Sequence, residues 1–327
     1  PQSVEHWPKQ LPALKATTAC SQPWSPLSGE LGEPGDVVGS EDCLYLNVTA
    51  PRQPNSSASN TKLPVMLWIH GGANTTGSAR FYRGQKIAGD QQVVFVSINY
   101  RLGPLGWFSH SSLRNTTTSP EDASGNYALL DIIAALQWVQ ANIHTFGGNA
   151  ANVTVFGESA GGRNIFALLA SPLAKGLFHR AISQSGSTRT ETLARAENFA
   201  DESLPGWPNS SNELLAQLQI NQKTAKDRDE AKIDLGTMTE TTVAALLRYQ
   251  TPEMLINASM QLMDHPDILR IPQLFRDGHV LPSAPLATVF SQTDGYNAVP
   301  VIMGANRDEE KSFMARDPEF TSLQLGL

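Results

Sequence analysis

The sequence predicts an α/β fold with a mostly parallel central sheet and helices on both faces. Three observations lead there. Pro64–His70 and Val93–Tyr100 are continuous apolar runs, the pattern of strands covered on both faces. Between Tyr127 and Phe146 apolar residues recur at helical spacing, at Leu129, Leu130, Ile133, Leu136, Val139 and Ile143. The short run Val153–Phe156 passes through a glycine-flanked turn directly into the apolar, helix-compatible stretch Asn164–Ala170. Strands alternating with helices favour parallel pairing.

Each element follows from its residues. Positions 1–40 are Pro/Gly-rich and irregular, with Trp7 and Trp24 as anchors. Ser40–Thr49 leads into a strand that Ala50-Pro51 ends, and Gln53–Lys62 reads as a polar surface loop. The strand Pro64–His70 feeds straight into Gly71-Gly72-Ala73-Asn74, and Val93–Tyr100 precedes Arg101-Leu102-Gly103. Gly147-Gly148 stops the long helix. Arg180–Gly186 and Pro300–Gly304 are further strands. Positions 190–270 are helical and polar in pattern, with turn signals at Pro205-Gly206 and Pro208-Asn209, and are expected to form a cap-like insertion over the site. The length of 327 residues alone suggests about two domains. The pattern favours one domain over 1–327, incomplete at both ends, since the chain begins with Pro1 and not Met.

Composition narrows the function. Hydrophobic residues make up 40% and charged residues 17%, a globular composition. The net charge of −7, with no basic block, argues against nucleic acid and anionic membrane surfaces. No apolar run approaches the ~18 residues of a membrane span. No metal-spaced Cys/His cluster and no cofactor motif is present. The two cysteines, Cys20 and Cys43, are compatible with a bridge or with two buried thiols. Asn47, Asn55, Asn74, Asn115, Asn152, Asn209 and Asn257 each begin an N-x-Ser/Thr triplet. These triplets suit glycosylated loops of an exported protein or simply Asn/Ser/Thr-rich loops. A secreted or periplasmic location is expected.

The stretch that carries chemistry is Gly157-Glu158-Ser159-Ala160-Gly161. Strand, G-x-S-x-G, helix is the nucleophile elbow of the α/β-hydrolase fold. The turn is so tight that a Cβ two positions either side of the serine would collide with neighbouring elements. The serine itself is held in a strained conformation with its oxygen above the sheet.

Several stretches together resemble the type-B carboxylesterase/lipase family, which includes the cholinesterases. They are Glu41–Val48, Trp68–Gly72, Asn99–Gly103, Asn142–Gly148, Phe156–Gly162, Ala181–Gly186 and Gly304–Glu309, spread from about Cys20 to Phe313. The resemblance implies an ester hydrolase with no cofactor and no metal, acting on a small-molecule ester. Ser159 matches the nucleophile that forms an acyl-enzyme. Glu309 matches the acid that orients the catalytic histidine, with Asp308 as runner-up. The backbone N–H groups of Gly72, Ala73 and Ala160 match the oxyanion hole. The family often has glycine where Ala73 stands, so its methyl group narrows the pocket slightly. Cys20 and Cys43 correspond to the family's first disulfide. Arg101 and Asp131 match a buried ion pair, and Glu41 a similar structural position.

The departures are as informative. The triad order in this fold is Ser, Asp/Glu, His, yet the histidines at 6, 70, 110, 144, 179, 265 and 279 all precede Glu309. His70 reads as a packing histidine, and His279 matches no catalytic position. The chain is therefore expected to be an internal portion of a longer protein whose C-terminal part supplies the histidine. Glu310 replaces a small residue common after the acid. No tryptophan matches the choline-binding one of the cholinesterases, since Trp24 is too near Cys20 and Glu33 stands near the expected place. Short-to-medium acyl carboxylic esters are the expected substrates. The competing readings are a non-catalytic binding or adhesion relative and an inactive fragment.

Overall fold

The computed structural model describes residues 13, 18–52, 62–114, 118–262, 271–309 and 311. A two-stranded antiparallel ribbon comes first, β1 (Gln22–Pro23) with β2 (Val37–Val38). There follow β3 (Leu46–Thr49), β4 (Leu63–Ile69), α1 (Gln85–Gln91), β5 (Val94–Ile98), α2 (Gly103–Gly106), α3 (Pro120–Ala123) and α4 (Tyr127–Asn142). Next come β6 (Gly148–Glu158), α5 (Ala160–Ala170), β7 (Arg180–Gln184) and the helices α6 (Leu193–Glu197), α7 (Ser211–Asn221), α8 (Arg228–Thr237), α9 (Glu240–Arg248) and α10 (Pro252–Gln261). α11 (Leu286–Phe290) and β8 (Val301–Gly304) complete the described elements.

The main sheet has the order β3-β5-β4-β6-β7-β8, with β3 antiparallel to β5 and the other pairs parallel. This is the mostly parallel sheet expected from the alternation of strands and helices, and it fits the α/β-hydrolase architecture that the elbow motif implied. The apolar runs are buried on both faces, as their composition requires: Val65, Leu67, Ile69, Val94, Val96, Ile98, Val153 and Val155 are all fully enclosed. α4 lays Leu129, Ile132, Ile133, Leu136 and Val139 on the sheet, and α5 contributes Ile165 and Leu168. Each such side chain stabilises the fold by about 2 kcal/mol through burial.

The long helix ends as anticipated. α4 tightens into a 3-10 turn over Ile143–Phe146, and Gly147 closes it in the left-handed region at φ 80°. The elements differ from expectation in three places. β6 begins at Gly148, five positions before Val153, because Leu63 pairs with Gly148 before the register shifts. Ser40–Tyr45 is not strand; only Leu46–Thr49 pairs with β5. α1 was not anticipated from its mixed residues. Trp24 anchors the first segment by donating from Nε1 to the Glu30 carbonyl. Trp7, positions 53–61 of the polar loop (Asn55 among them), Asn115, Glu310 and positions 263–270 of the insertion lie outside the described residues.

Cys20 and Cys43 form a disulfide, both nearly fully buried, closing a separation of 23 residues between the ribbon and β3. Glu41, beside it, is exposed, which corrects the buried structural role expected for it. Its neighbour Cys43 turns inward and leaves the carboxylate in solvent, where it avoids the cost of burial. Of the sequons, Asn74 is completely buried, so that triplet is a packing feature of the folded chain.

Arg101 and Asp131 do pair. The Arg101 Nε donates to Asp131 Oδ2 at 2.8 Å, Nη2 to Oδ1 at 2.7 Å, and the Arg101 backbone N–H to Oδ2 at 3.0 Å. This clamp ties the turn after β5 to α4, and the Asp131 side chain is only 1% exposed. Removing one partner strands the other charge. Asp131→Ala in the full-length protein is expected to lower the unfolding free energy by about 3 kcal/mol, read by urea denaturation. A loss below about 1 kcal/mol would place this pair with weak surface bridges.

Candidate active site

β4 and β6 are parallel neighbours at the centre of the sheet, with Ile69 opposite Gly157. From β4 the chain moves to β5 on one side, and from β6 to β7 on the other. Such a switch point opens a crevice at the carboxyl ends of the strands. The turn after β4, Gly71–Asn74, and the turn after β6 at Ser159 therefore lie side by side.

Ser159 stands at φ 55°, ψ −118°, immediately before the first residue of α5. A non-glycine residue there costs about 1–3 kcal/mol and persists only where its surroundings impose it. The Ser159 N–H donates to the Gln184 carbonyl at 2.8 Å, and its own carbonyl accepts from the Arg163 N–H at 3.0 Å. Glycines let the backbones close in. A Cβ on Gly157 would lie 2.7 Å from the Ile69 carbonyl oxygen, and one on Gly161 would run into that same oxygen. On Gly71 it would lie 3.3 Å from the Ser159 Cβ, so the two turns touch.

Gly72, Ala73 and Asn74 follow one another at φ 95°, 57° and 60°. The Gly72 carbonyl turns inward to accept from the Thr75 and Thr76 N–H groups, both at 3.0 Å. Ala160 is the first residue of α5, so its N–H has no acceptor within the helix, and the positive end of the helix dipole lies there. The expected residues Gly72, Ala73, Ala160 and Ser159 thus occupy two adjoining turns.

Glu309 reaches the same end of the sheet from beyond β8. Ser185, left-handed at φ 52° after β7, donates its hydroxyl to Glu309 Oε1. The Asn306 backbone N–H and Nδ2 donate to that oxygen at 2.8 and 3.1 Å. The Ser185 and Asn306 donors hold the Glu309 carboxyl below the usual glutamate range, so it stays charged. Glu158 moves the other way, raised by partial burial and then by the charge of Glu309. Asp308, the runner-up, is exposed and instead pairs with Lys311 at 2.9 Å.

The described histidines bond other groups or are exposed. His279 meets Glu121 at 2.9 Å, His110 meets Asn212 at 3.0 Å, and His179 accepts from the Val153 N–H at 3.1 Å. His144 is exposed on the 3-10 turn. His70 is buried, stacked on Tyr100 at 4.4 Å, and donates from Nδ1 to the Gly71 carbonyl at 2.8 Å. His6 and His265 lie outside the described residues.

Sequence reading missed the polar residues beneath the Gly71–Asn74 turn. Asn74 and Asn164 exchange side-chain hydrogen bonds at 2.9 and 3.3 Å, and Gln273 joins them. Two asparagines and a glutamine spread over about 200 positions offer no periodicity to read.

A family model described as "Carboxylesterase family" matches residues 1–324. Among curated proteins, Carboxylesterase 1D of Rattus norvegicus is 40% identical over 278 residues, covering 83% of this chain and 43% of that protein. Para-nitrobenzyl esterase of Bacillus subtilis (strain 168) is 38% identical over 329 residues, covering 98% of this chain and 58% of that one. A solved structure of a PNB esterase superposes with a TM-score of 0.66 at 36% identity, covering 90% of this chain and 53% of the other. The chain spans about half the length of the curated relatives it matches.

His70 makes the site region sensitive to acid. Burial pushes its imidazole down to about 4, with the Gly71 carbonyl opposing. The unfolded chain binds that proton near pH 6.5, so the neutral folded form is favoured fully above that value. This contribution, about 3 kcal/mol, is lost as pH falls from 6.5 to 4. His70→Phe keeps a ring against Tyr100 but removes the titration. Urea midpoints between these pH values are expected to fall less steeply in the variant, and an unchanged slope would contradict the assignment.

Proposed function

The chain belongs to the carboxylesterase family, and from that premise we propose that the whole protein is a carboxylic-ester hydrolase with Ser159 as its nucleophile. The observation that carries this reading is the backbone of Ser159, held at φ 55° between β6 and α5 beside the Gly71–Asn74 turn. A polypeptide tolerates that strain where the chemistry of the side chain requires it.

The Ser159 Oγ attacks the ester carbonyl while a histidine accepts its proton. The carbonyl oxygen, now negative, is held by the N–H groups of Gly72, Ala73 and Ala160, each donor lowering the barrier by about 3 kcal/mol. Collapse of the tetrahedral species expels the alcohol, protonated by the histidinium, and leaves an acyl-enzyme. Water repeats the cycle and frees the acid. Glu309 orients the histidine, and its charge stabilises the imidazolium. That histidine belongs to the C-terminal part of the protein, which also covers Ile302 and Met303 of β8, both 66% exposed.

Positions 190–270 act as a cap over this end. Their two boundaries support it, because the Glu191 N–H donates to the Leu274 carbonyl and the neighbouring Gln273 reaches Ala73. The substrates are short-to-medium acyl carboxylic esters. The protein is exported, consistent with the disulfide, and glycans attach at the partly exposed sequons, Asn47, Asn152, Asn209 and Asn257.

Ser159→Ala in the full-length protein is expected to cut hydrolysis of p-nitrophenyl butyrate by about 10⁴-fold or more. Retained turnover would refute the nucleophile. Ser159→Gly is expected to be equally inactive yet more stable than the alanine variant by about 1 kcal/mol. That is the reverse of the usual order, because only glycine takes this φ without strain.

A further inference from the structure

Ala73 and Asn74 are consecutive non-glycine residues in the left-handed region, and both lie in the turn that faces Ser159. Each costs about 1 kcal/mol or more, so the turn needs an external constraint. That constraint comes from the far side of the helical insertion. Gln273 is only 3% exposed, and its Nε2 donates to the Ala73 carbonyl at 2.7 Å. Its Oε1 accepts from Asn74 Nδ2 at 3.0 Å and from Arg163 Nη1 at 3.2 Å. Arginine can only donate, so Oε1 must face it, and the amide has one orientation, with its NH₂ toward Ala73.

The strut is itself anchored. The Glu191 N–H donates to the Leu274 carbonyl at 3.1 Å, and the Arg276 N–H to the Glu191 carbonyl at 2.9 Å. Asn126, just before α4, takes both backbone groups of Phe275, accepting its N–H at 2.8 Å and donating to its carbonyl at 2.9 Å. Arg163 leads back to the nucleophile, four positions on from Ser159 and bonded to it through the backbone.

We propose that Gln273 is a positioning residue for the turn that supplies the Gly72 and Ala73 N–H groups. This rests on the reading of Ser159 as nucleophile and those groups as oxyanion donors. With the Ala73 carbonyl held by Gln273, rotation of that peptide is blocked, and the N–H groups just upstream keep their aim. Without the strut the part-buried carbonyl loses that partner, and the turn relaxes to satisfy it. A donor displaced by about 1 Å costs on the order of 10²-fold in rate.

Gln273→Glu in the full-length protein isolates the key bond. Glutamate keeps the shape and the acceptors facing Asn74 and Arg163, but sets an oxygen against the Ala73 carbonyl. Active sites are counted by complete phosphonylation with a fluorophosphonate, so poorly folded molecules drop out. Per counted site, kcat for p-nitrophenyl butyrate is expected to fall on the order of 10²-fold, with KM changed by less than about threefold. Affinity for a trifluoromethyl ketone, which forms an oxyanion on the serine, is expected to fall by the same factor as kcat. Gln273→Asn keeps the amide but shortens its reach, and provides the same comparison if the glutamate variant yields too few sites. A kcat per site and a ketone affinity both near those of the parent would overturn the proposal. A parent protein that is not phosphonylated, or an active Ser159→Ala variant, would instead overturn the reading of the site on which it rests.

Discussion

The close approach of three backbones at the carboxyl end of the sheet governs this structure. The Ile69 carbonyl at the end of β4 lies against the Cα positions of Gly157 and Gly161, and the Gln184 carbonyl at the end of β7 accepts the Ser159 N–H. No side chain fits between them. Given that spacing, the chain has one way to pass from β6 into α5, with Ser159 at positive φ and its side chain away from the crowded backbones. The burial of the central strands keeps the strands in register, and the register keeps the serine strained.

Around that point the fold sorts polar groups by depth. Beneath the Gly71–Asn74 turn lie buried, mutually satisfied amides, together with a histidine that burial keeps neutral. At the rim lie the carboxylates. Glu309, held by Ser185 and Asn306, retains its charge, while partial burial and, after it, that charge raise the neighbouring Glu158. A fixed negative charge at the rim suits orienting an imidazole. A neutral, hydrogen-bonded interior suits backbone donors that must not move as charge develops.

Much of this was legible in the sequence, and the parts that were not share a cause. The strands at Pro64–His70 and Val93–Tyr100 read correctly because strands buried on both faces must be apolar throughout. The turns at Gly71-Gly72 and Gly157–Gly161 read correctly because only glycine fits there. The Arg101–Asp131 pair and the Cys20–Cys43 bridge followed from resemblance, not from spacing. Asn74 misled: within an N-x-Thr triplet it looked like a surface feature, but it is wholly buried. Gln273 and Arg163 were invisible because their meaning is tertiary. Nothing local marks a glutamine that touches a carbonyl 200 positions away. Glu41 was misplaced because its structural role was carried over by resemblance, whereas its side chain is exposed here.

The most direct measurement is peptide mapping of the adduct formed when the full-length protein reacts with a fluorophosphonate. The phosphonyl group is expected on Ser159 alone, in the peptide that joins β6 to α5, and blocked by prior acylation with a slowly hydrolysed ester. An adduct on a different serine, or none on an intact and folded protein, would contradict the claim that the strained turn is a catalytic nucleophile.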